Sequence, residues 1–303
     1  MNKLGIRVVS QRTAILSHIP WKDYVLLTKP IIVVLLLMTT LGAMIVAADD
    51  WPAMGLVLTT MLGGGLSAGG ASALNQVIDR ERDSKMQRTK NRPIPAGRMT
   101  IKNASVFGLS LCLAGLVILA LGVNLLSALL AFIGMVYYLI VYSILLKTST
   151  PQNIVLGGGA GAMPVLIGWA AGAGSLSIEA WLLFALVFFW TPPHFWALAL
   201  IKQQDYARAG IPMFPVVYGD RETKRQILLY SIQLVALTLI IPFMNLGGYF
   251  FLFLAVLLGG ILILLAARLW RGGGNRRAWI MYRYSSLYLA LIFSVLIFEK
   301  LLF

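Results

Sequence analysis

Apolar residues in this chain form long runs that are separated by shorter polar stretches. A run of about 20 apolar residues crosses the hydrocarbon core of a bilayer as a helix. The chain contains nine such runs, at about 30–48, 52–74, 103–121, 124–145, 153–172, 178–200, 227–243, 247–267 and 282–301. The pattern predicts an all-α, polytopic membrane protein in which a nine-helix domain at 30–303 follows a polar N-terminal segment at 1–29.

The basic residues test this count independently. If nine helices alternate in direction, 24 of the 25 Lys and Arg residues fall on one side of the membrane, and only Lys300 falls on the other. Positive residues accumulate on the cytoplasmic side. We therefore expect a cytoplasmic N-terminus and an external C-terminus. The membrane is expected to be the bacterial cytoplasmic (inner) membrane. The longer cytoplasmic loops of the protein would lie at about 75–102 and 201–226.

The composition narrows the class further. Hydrophobic residues make up 59% of the chain and charged residues 12%, whereas soluble domains carry roughly 25% charged residues. The net charge of +14 is explained by membrane topology and anionic lipid rather than by a nucleic-acid partner. The single cysteine, Cys112, lies inside an apolar run, which excludes a disulfide framework. Glycines at 63–65, 69–70, 157–159 and 161 indicate close helix packing rather than ligand contact.

A polar stripe follows the second apolar run. Asn75, Asp79 and Asp83 are spaced four apart, so on a helix each lies about 40° round and about 6 Å along from the last. Two carboxylates and an amide on one face can hold a hard cation, and Mg²⁺ is commonly shared between carboxylates and substrate phosphates. The stripe therefore predicts a magnesium site.

A basic stretch follows the stripe, and it contains Lys85, Arg88, Lys90, Arg92 and Arg98. Guanidinium forks and lysine point charges suit a diphosphate. Together with a membrane cavity that would hold a hydrophobic prenyl chain, the stripe and the basic stretch describe a site for an isoprenyl diphosphate. The alternative is a solvated loop that is basic only because it is cytoplasmic, although topology alone does not require the acidic residues of the stripe.

These residues resemble a known family. The NxxxDxxxD pattern from Asn75 to Asp83, and Thr28-Lys29-Pro30 at the first run, are similar to motifs of the UbiA superfamily of intramembrane prenyltransferases. The longer pattern, through Arg88 to Arg92-Pro93, resembles its protohaem IX farnesyltransferase (haem O synthase) branch. The resemblance implies a UbiA-like helix bundle around a central cavity, with Mg²⁺ as cofactor. The implied reaction transfers the farnesyl group of farnesyl diphosphate to the vinyl group of haem B, with water addition, and gives haem O.

A second polar segment follows the sixth run and contains Lys202 and Asp205. Quinone-precursor branches of the superfamily carry a second aspartate-rich motif near this position, and the single acid here favours the haem branch. The resemblance implies catalytic roles for both residues, with Lys202 at the diphosphate and Asp205 at the metal. Alternatively, the two side chains pair with each other.

His194 follows Pro192-Pro193 within the sixth run. Ionisable residues inside membrane spans are functional candidates, and imidazole can ligate iron, donate to a haem propionate or act as a base. We expect His194 to bind haem. The alternative is a histidine that satisfies the backbone carbonyls freed by the prolines. His18 is expected at the surface, and the tyrosines Tyr137, Tyr138 and Tyr142 either line the prenyl cavity or pack as interface aromatics.

Two rival functions remain open. The nearer one is the same chemistry on an aromatic acid or quinone precursor, and the other is a membrane transporter. Coupled transporters commonly use charges at the membrane midplane, whereas the ionisable residues here cluster at one face. Expected partners are the two substrates, membrane lipid and, in transient contact, haem A synthase or a terminal oxidase.

Overall fold

The computed structural model describes residues 21–48, 51–244 and 246–302, except for the side chain of residue 301. The predicted surface residue His18 lies outside the described residues. The helices are α1 (Trp21–Leu27), α2 (Pro30–Ala47), α3 (Met54–Lys85), α4 (Ile101–Gly122), α5 (Leu125–Val136), a π-helix (Tyr137–Leu146) that continues α5, α6 (Asn153–Ala173), α7 (Ile178–Ile201), α8 (Gln203–Arg208), α9 (Phe214–Ile240) with a 3₁₀ turn (Ile241–Met244), α10 (Tyr249–Gly272) and α11 (Asn275–Leu302).

Within these described ranges, nine helices are long and apolar enough to cross a membrane, which confirms the predicted all-α, nine-helix membrane fold. Among the helices of the described residues, α1 and α8 are too short to do so. A tight turn joins the third and fourth spans. Asn124 caps the start of α5 there, and its side chain accepts a hydrogen bond from the Ser127 amide at 2.7 Å.

Three helices are longer than their apolar runs. α3 continues to Lys85, α9 begins at Phe214 and α11 begins at Asn275. Hydropathy marks only the part of a helix that lies in hydrocarbon, whereas intrahelical hydrogen bonds continue through polar sequence. The polar segments at 75–102 and 201–226 are therefore partly helical, and for the first of them the spacing of Asn75, Asp79 and Asp83 had already indicated a helix.

Small residues bring α3 and α4 into close contact. A Cβ atom on Gly70 would lie 2.6 Å from the carbonyl oxygen of Gly108 and 2.7 Å from the sulphur of Cys112. Contacts this short exclude any side chain at Gly70. The cysteine is 8% exposed and packs between the two helices, as predicted. The close packing fixes α3, whose polar end carries the stripe.

At the opposite end of the bundle, α11 caps α10. The Glu299 carboxylate accepts hydrogen bonds from the backbone amides of Gly248 at 2.6 Å and Phe251 at 2.9 Å, and the residue is 7% exposed. The first turn of a helix has no intrahelical acceptors for its N–H groups, and a negative charge there also complements the helix dipole. Glu299 therefore joins the last two helices.

We expect Glu299→Ala to destabilise the protein by about 2–4 kcal/mol, because buried donors lose a charged acceptor. The melting temperature in detergent should fall by at least about 4 °C. Glu81→Ala is the control, since Glu81 forms an exposed pair with Arg80 and its side chain is 80% exposed. Equal melting of the two variants would show that the cap contributes nothing.

Candidate active site

The polar end of α3 carries the predicted stripe, and all three of its side chains are buried. Asn75 is 3% exposed, Asp79 1% and Asp83 4%. Asn75 Nδ2 donates to Asp79 Oδ2 at 2.9 Å, so these two groups are in direct contact. The spacing of four therefore produces one buried polar face.

Each member of the stripe accepts a hydrogen bond from a cationic side chain of another segment. Lys29 Nζ donates to Asn75 Oδ1 at 2.7 Å. Arg92 Nη1 donates to Asp83 Oδ2 at 2.6 Å. The third pair joins Lys147 Nζ to Asp79 Oδ2. Charged hydrogen bonds of this kind offset the cost of burying carboxylates.

Asp79 has the densest set of partners. In addition to Asn75 and Lys147 at Oδ2, its Oδ1 atom accepts from Arg82 Nη1 at 3.1 Å. Asn75 Nδ2 also donates to Ser143 Oγ at 2.9 Å. Asp79 is thus the centre of a network that links α3 to the continuation of α5.

The π-helix at Tyr137–Leu146 supplies the far side of this network. Its i→i+5 winding appears in the backbone bond from the Lys147 amide to the Tyr142 carbonyl at 2.9 Å, and Ser143 Oγ also donates to the Tyr138 carbonyl. The winding places these four side chains on one face. Tyr138 and Tyr142 stack with their ring centres 6.0 Å apart, beside the ammonium groups of the site. π-Helical turns are rare and are frequent at functional sites.

Lys29 reaches the stripe from the residue before α2. Its backbone is left-handed, with φ 52° and ψ 61°, a conformation that costs an ordinary residue roughly 1–2 kcal/mol. Strain of this kind clusters at functional sites. Lys29 Nζ also donates to the Tyr138 hydroxyl at 3.1 Å. Burial lowers the pKa of Lys29 to about 7, and the charges of Arg92 and Lys147 act in the same direction.

The cations of the predicted diphosphate-binding stretch lie in three different environments. Lys85, Arg88 and Lys90 are exposed, and Arg92 binds the stripe. Arg98 instead pairs with Asp23 of α1, through Nε bonds of 3.1 Å to both carboxylate oxygens. Arg98 therefore connects the loop to α1, which gives it a structural role.

The second polar segment approaches the first through Tyr206 of α8. Tyr206 is 5% exposed. Burial raises the pKa of its hydroxyl, and the neighbouring Arg88 opposes that rise. Arg88 therefore lies beside Tyr206, at the junction of the two polar segments.

The structure does not join Lys202 and Asp205 to the stripe. Asp205 forms an ion pair with Arg208, one turn further along α8. Within the part of the chain that the structure describes, the Lys202 side chain forms no ion pair. The alternative that the two residues pair with each other is therefore wrong. Their proposed roles at the diphosphate and metal stay predictions.

His194 lies between α7 and α11, in a column of stacked rings. Its ring centre is 4.3 Å from that of Trp190 and 4.5 Å from that of Tyr282. Nδ1 lies 2.9 Å from Ser285 Oγ, and that hydroxyl donates its proton to the Tyr282 carbonyl at 2.9 Å. A serine hydroxyl has one proton, so Nδ1–H is the donor and Nε2 carries the lone pair. Among the described residues, no hydrogen bond connects His194 to the stripe.

The donor set of the stripe fits a hard divalent cation. Asn75, Asp79 and Asp83 offer only oxygen ligands, as Mg²⁺ prefers. In the described residues there is no cluster of three or more His, Cys, Asp or Glu side chains. Two carboxylates and an amide would therefore need water or phosphate oxygens to complete the coordination.

Sequence reasoning missed Lys29, Ser143 and Lys147 as site residues. Lys29 lies within the Thr28-Lys29-Pro30 motif, which indicated the family but did not predict a contact between Lys29 and the stripe. Lys147 is a lone cation at the end of a span that carries three tyrosines, and this isolation was the available signal. Both lysines come to the stripe only through tertiary packing.

Comparisons with known proteins identify the family of the chain. The sequence profile of the UbiA prenyltransferase family matches residues 36–292. A protein named "Protoheme IX farnesyltransferase" from Roseiflexus sp. (strain RS-1) is 49% identical over 282 residues, which are 93% of this chain and 53% of that protein. One of the same name from Symbiobacterium thermophilum is 47% identical over 281 residues, which are 92% of this chain and 94% of that protein. The chain spans about half the length of the first of these curated relatives.

A solved structure supports the fold. The UbiA homologue from Archaeoglobus fulgidus, described as bound to GPP and Mg²⁺, superposes with a TM-score of 0.62 at 16% identity. The match covers 90% of this chain and 99% of that one. At this identity the likeness concerns the helix bundle alone.

Proposed function

The chain belongs to the UbiA prenyltransferase family, and on that premise we propose that it transfers the farnesyl group of farnesyl diphosphate to the vinyl group of haem B, with addition of water, to give haem O. The relatives named "Protoheme IX farnesyltransferase" support this choice of donor and acceptor. The observation that carries the proposal is the buried stripe of Asn75, Asp79 and Asp83 surrounded by cations.

The stripe residues would hold Mg²⁺, which would neutralise negative charge as the diphosphate leaves. Solved UbiA homologues described with Mg²⁺ and a prenyl diphosphate support this cofactor. Lys29, Lys147 and Arg92 surround the same oxygens and would bind the diphosphate oxygens directly. The exposed cations Lys85, Arg88 and Lys90 would guide the diphosphate to the site from the aqueous side.

Prenyl transfer then needs an allylic cation that water does not trap. The farnesyl chain would extend from the stripe among the apolar helices, which exclude bulk water. The stacked faces of Tyr138 and Tyr142 would stabilise the positive charge of the allylic carbon. The vinyl π electrons form the new C–C bond as the C–O bond to diphosphate breaks. Water adds to the resulting carbocation and releases one proton, which leaves the hydroxyl of haem O.

His194 is the proposed haem-contacting residue. Its Nε2 lone pair suits the haem iron, and the Ser285 hydrogen bond at Nδ1 fixes this tautomer, as partners of iron-binding histidines commonly do. Lys202 and Asp205 remain proposed for diphosphate and metal contacts during the reaction, after release of Asp205 from Arg208.

The test is direct. Purified protein incubated with haem B, farnesyl diphosphate and Mg²⁺ should form a haem product whose mass has increased by one farnesyl group and one hydroxyl group. The same protein incubated with a hydroxybenzoate should form no prenylated product. The opposite outcome would leave the family membership intact and overturn the haem acceptor.

We also propose that the stripe faces the cytoplasm of a bacterial inner membrane. In a Cys112→Ala background, cysteines introduced at the exposed positions Asn91 and Asp220 should resist a membrane-impermeant label in intact cells. Ser175→Cys, in the turn at the other membrane face, should react and serves as the control. Labelling at Asn91 or Asp220 would reverse the orientation.

A further inference from the structure

The three side chains proposed to bind a metal ion all use an oxygen to accept a hydrogen bond from a cation. The cations come from three different segments: the residue before α2, the end of the π-helix and the loop after α3. The pairs are Lys29 with Asn75, Lys147 with Asp79, and Arg92 with Asp83.

Asp79 shows what this pairing means for metal binding. Its Oδ2 atom accepts from both Lys147 and Asn75, and its Oδ1 atom accepts from Arg82. Each carboxylate oxygen has about two lone-pair sites, so the hydrogen bonds from Lys147 and Asn75 occupy both sites of Oδ2. A divalent ion at Oδ2 would have to replace the ammonium group of Lys147, because two cations cannot share the same lone pair.

Lys147 is suited to such an exchange. Its side chain is 16% exposed, and a lysine ammonium on a flexible four-carbon stem can move to a new partner without the fixed geometry that a guanidinium requires. A diphosphate bound beside the stripe would present several anionic oxygens in place of the one carboxylate oxygen it loses. The exchange therefore needs the metal and the diphosphate together.

We propose that Lys147 is an exchangeable counter-ion that occupies the metal-binding oxygen of Asp79 until a divalent metal and a diphosphate bind, and then passes to the diphosphate. Metal and diphosphate consequently bind with positive coupling, and each raises the affinity for the other by the same factor. The inference rests on the proposed function only in taking a divalent metal and a diphosphate as ligands. It does not depend on haem.

The experiment measures Mn²⁺ binding to the purified full chain in detergent by titration calorimetry, with and without inorganic pyrophosphate. Wild type should bind Mn²⁺ weakly alone and at least about tenfold more tightly with pyrophosphate, within the usual range of such couplings. Lys147→Met should bind Mn²⁺ about tenfold more tightly than wild type when pyrophosphate is absent. In this variant pyrophosphate should bind more weakly, and its effect on Mn²⁺ affinity should shrink to about two- to threefold.

Two further variants keep the result interpretable. Lys102→Met removes an exposed lysine at the start of α4, on the same side of the bundle, and should bind both ligands as wild type does. Lys147→Arg keeps the charge and should keep the coupling. If Lys147→Met does not fold, wild-type-like coupling in Lys147→Arg together with loss of coupling in Lys147→Gln supports the same exchange.

Equal or weaker Mn²⁺ binding by folded Lys147→Met without pyrophosphate would overturn the exchange, because Lys147 would then assist metal binding. Wild type that binds no Mn²⁺ even with pyrophosphate would overturn it together with the metal site. If the protein makes haem O but metal and diphosphate bind independently, the proposed function stands and the exchange at Lys147 is contradicted. If the two ligands bind with positive coupling but no haem is prenylated, the exchange stands and the proposed function is contradicted.

Discussion

Asp79→Asn is expected to lower kcat by about a hundredfold while the protein still folds and inserts. Asp79 is the most buried member of the stripe and the one with most partners. An amide lacks the charge that holds both a metal ion and Lys147. Metal-assisted charge stabilisation supplies several kcal/mol, and about 2.7 kcal/mol corresponds to the hundredfold loss. Asp83→Asn, with Arg92 as its recorded cationic partner, should lower kcat by at least about tenfold.

The measurement is single-turnover farnesyl transfer at limiting Mg²⁺. Asp220→Asn is the matched control, since Asp220 lies in a surface pair with Lys224 and its side chain is 53% exposed. This variant should retain wild-type turnover. Near-normal rates in both stripe variants would contradict the assignment of Asp79 and Asp83 as metal ligands.

His194→Ala is expected to weaken haem B binding by about ten- to a hundredfold, equivalent to roughly 1.5–3 kcal/mol. Farnesyl diphosphate binding should be almost unchanged, because within the described part of the chain no hydrogen bond links His194 to the stripe. Arg92→Gln should behave in the opposite way and lose diphosphate affinity first. The two affinities are measured by haem absorption titration and by calorimetry with the diphosphate.

The absorption spectrum distinguishes the roles of His194. Loss of an axial ligand shifts the haem bands, whereas loss of a packing residue lowers only the folded yield. If His194→Ala binds haem with an unchanged spectrum and affinity but folds poorly, the histidine has a structural role within the ring column. Ser285→Ala should then be equally unstable, because it removes the same hydrogen bond.

Much of the fold could be predicted from the sequence because the bilayer imposes a simple rule. Backbone polar groups in hydrocarbon must be paired internally, so each apolar run of about 20 residues becomes a helix, and the count of nine was right. Hydropathy does not mark where α3 ends or where α9 and α11 begin, because their polar extensions lie outside the apolar runs and continue as helix. For α3, the spacing of Asn75, Asp79 and Asp83 supplied the signal that hydropathy lacks.

The sequence predicted only the part of the candidate site that lies within a single helix. The spacing from Asn75 to Asp83 is a property of one helix, so the shared face followed from the sequence. The contacts of Lys29 and Lys147 join residues 46 and 68 positions apart from their partners, and no spacing rule describes them. The Arg98–Asp23 pair was missed for the same reason, since its two residues lie 75 positions apart.

The π-helix has a practical consequence for redesign of this protein. Substitutions along Tyr137–Leu146 change side chains beside the stripe and keep the number of residues in the π-helix. A deletion or insertion of one residue changes that number and therefore the winding, because each residue of an ordinary helix turns the chain by about 100°. Losing one residue would allow ordinary α winding to return and would rotate Lys147 away from Asp79. The number of residues in this segment is therefore as much a part of the site as their identities, and libraries built here should vary side chains at constant length.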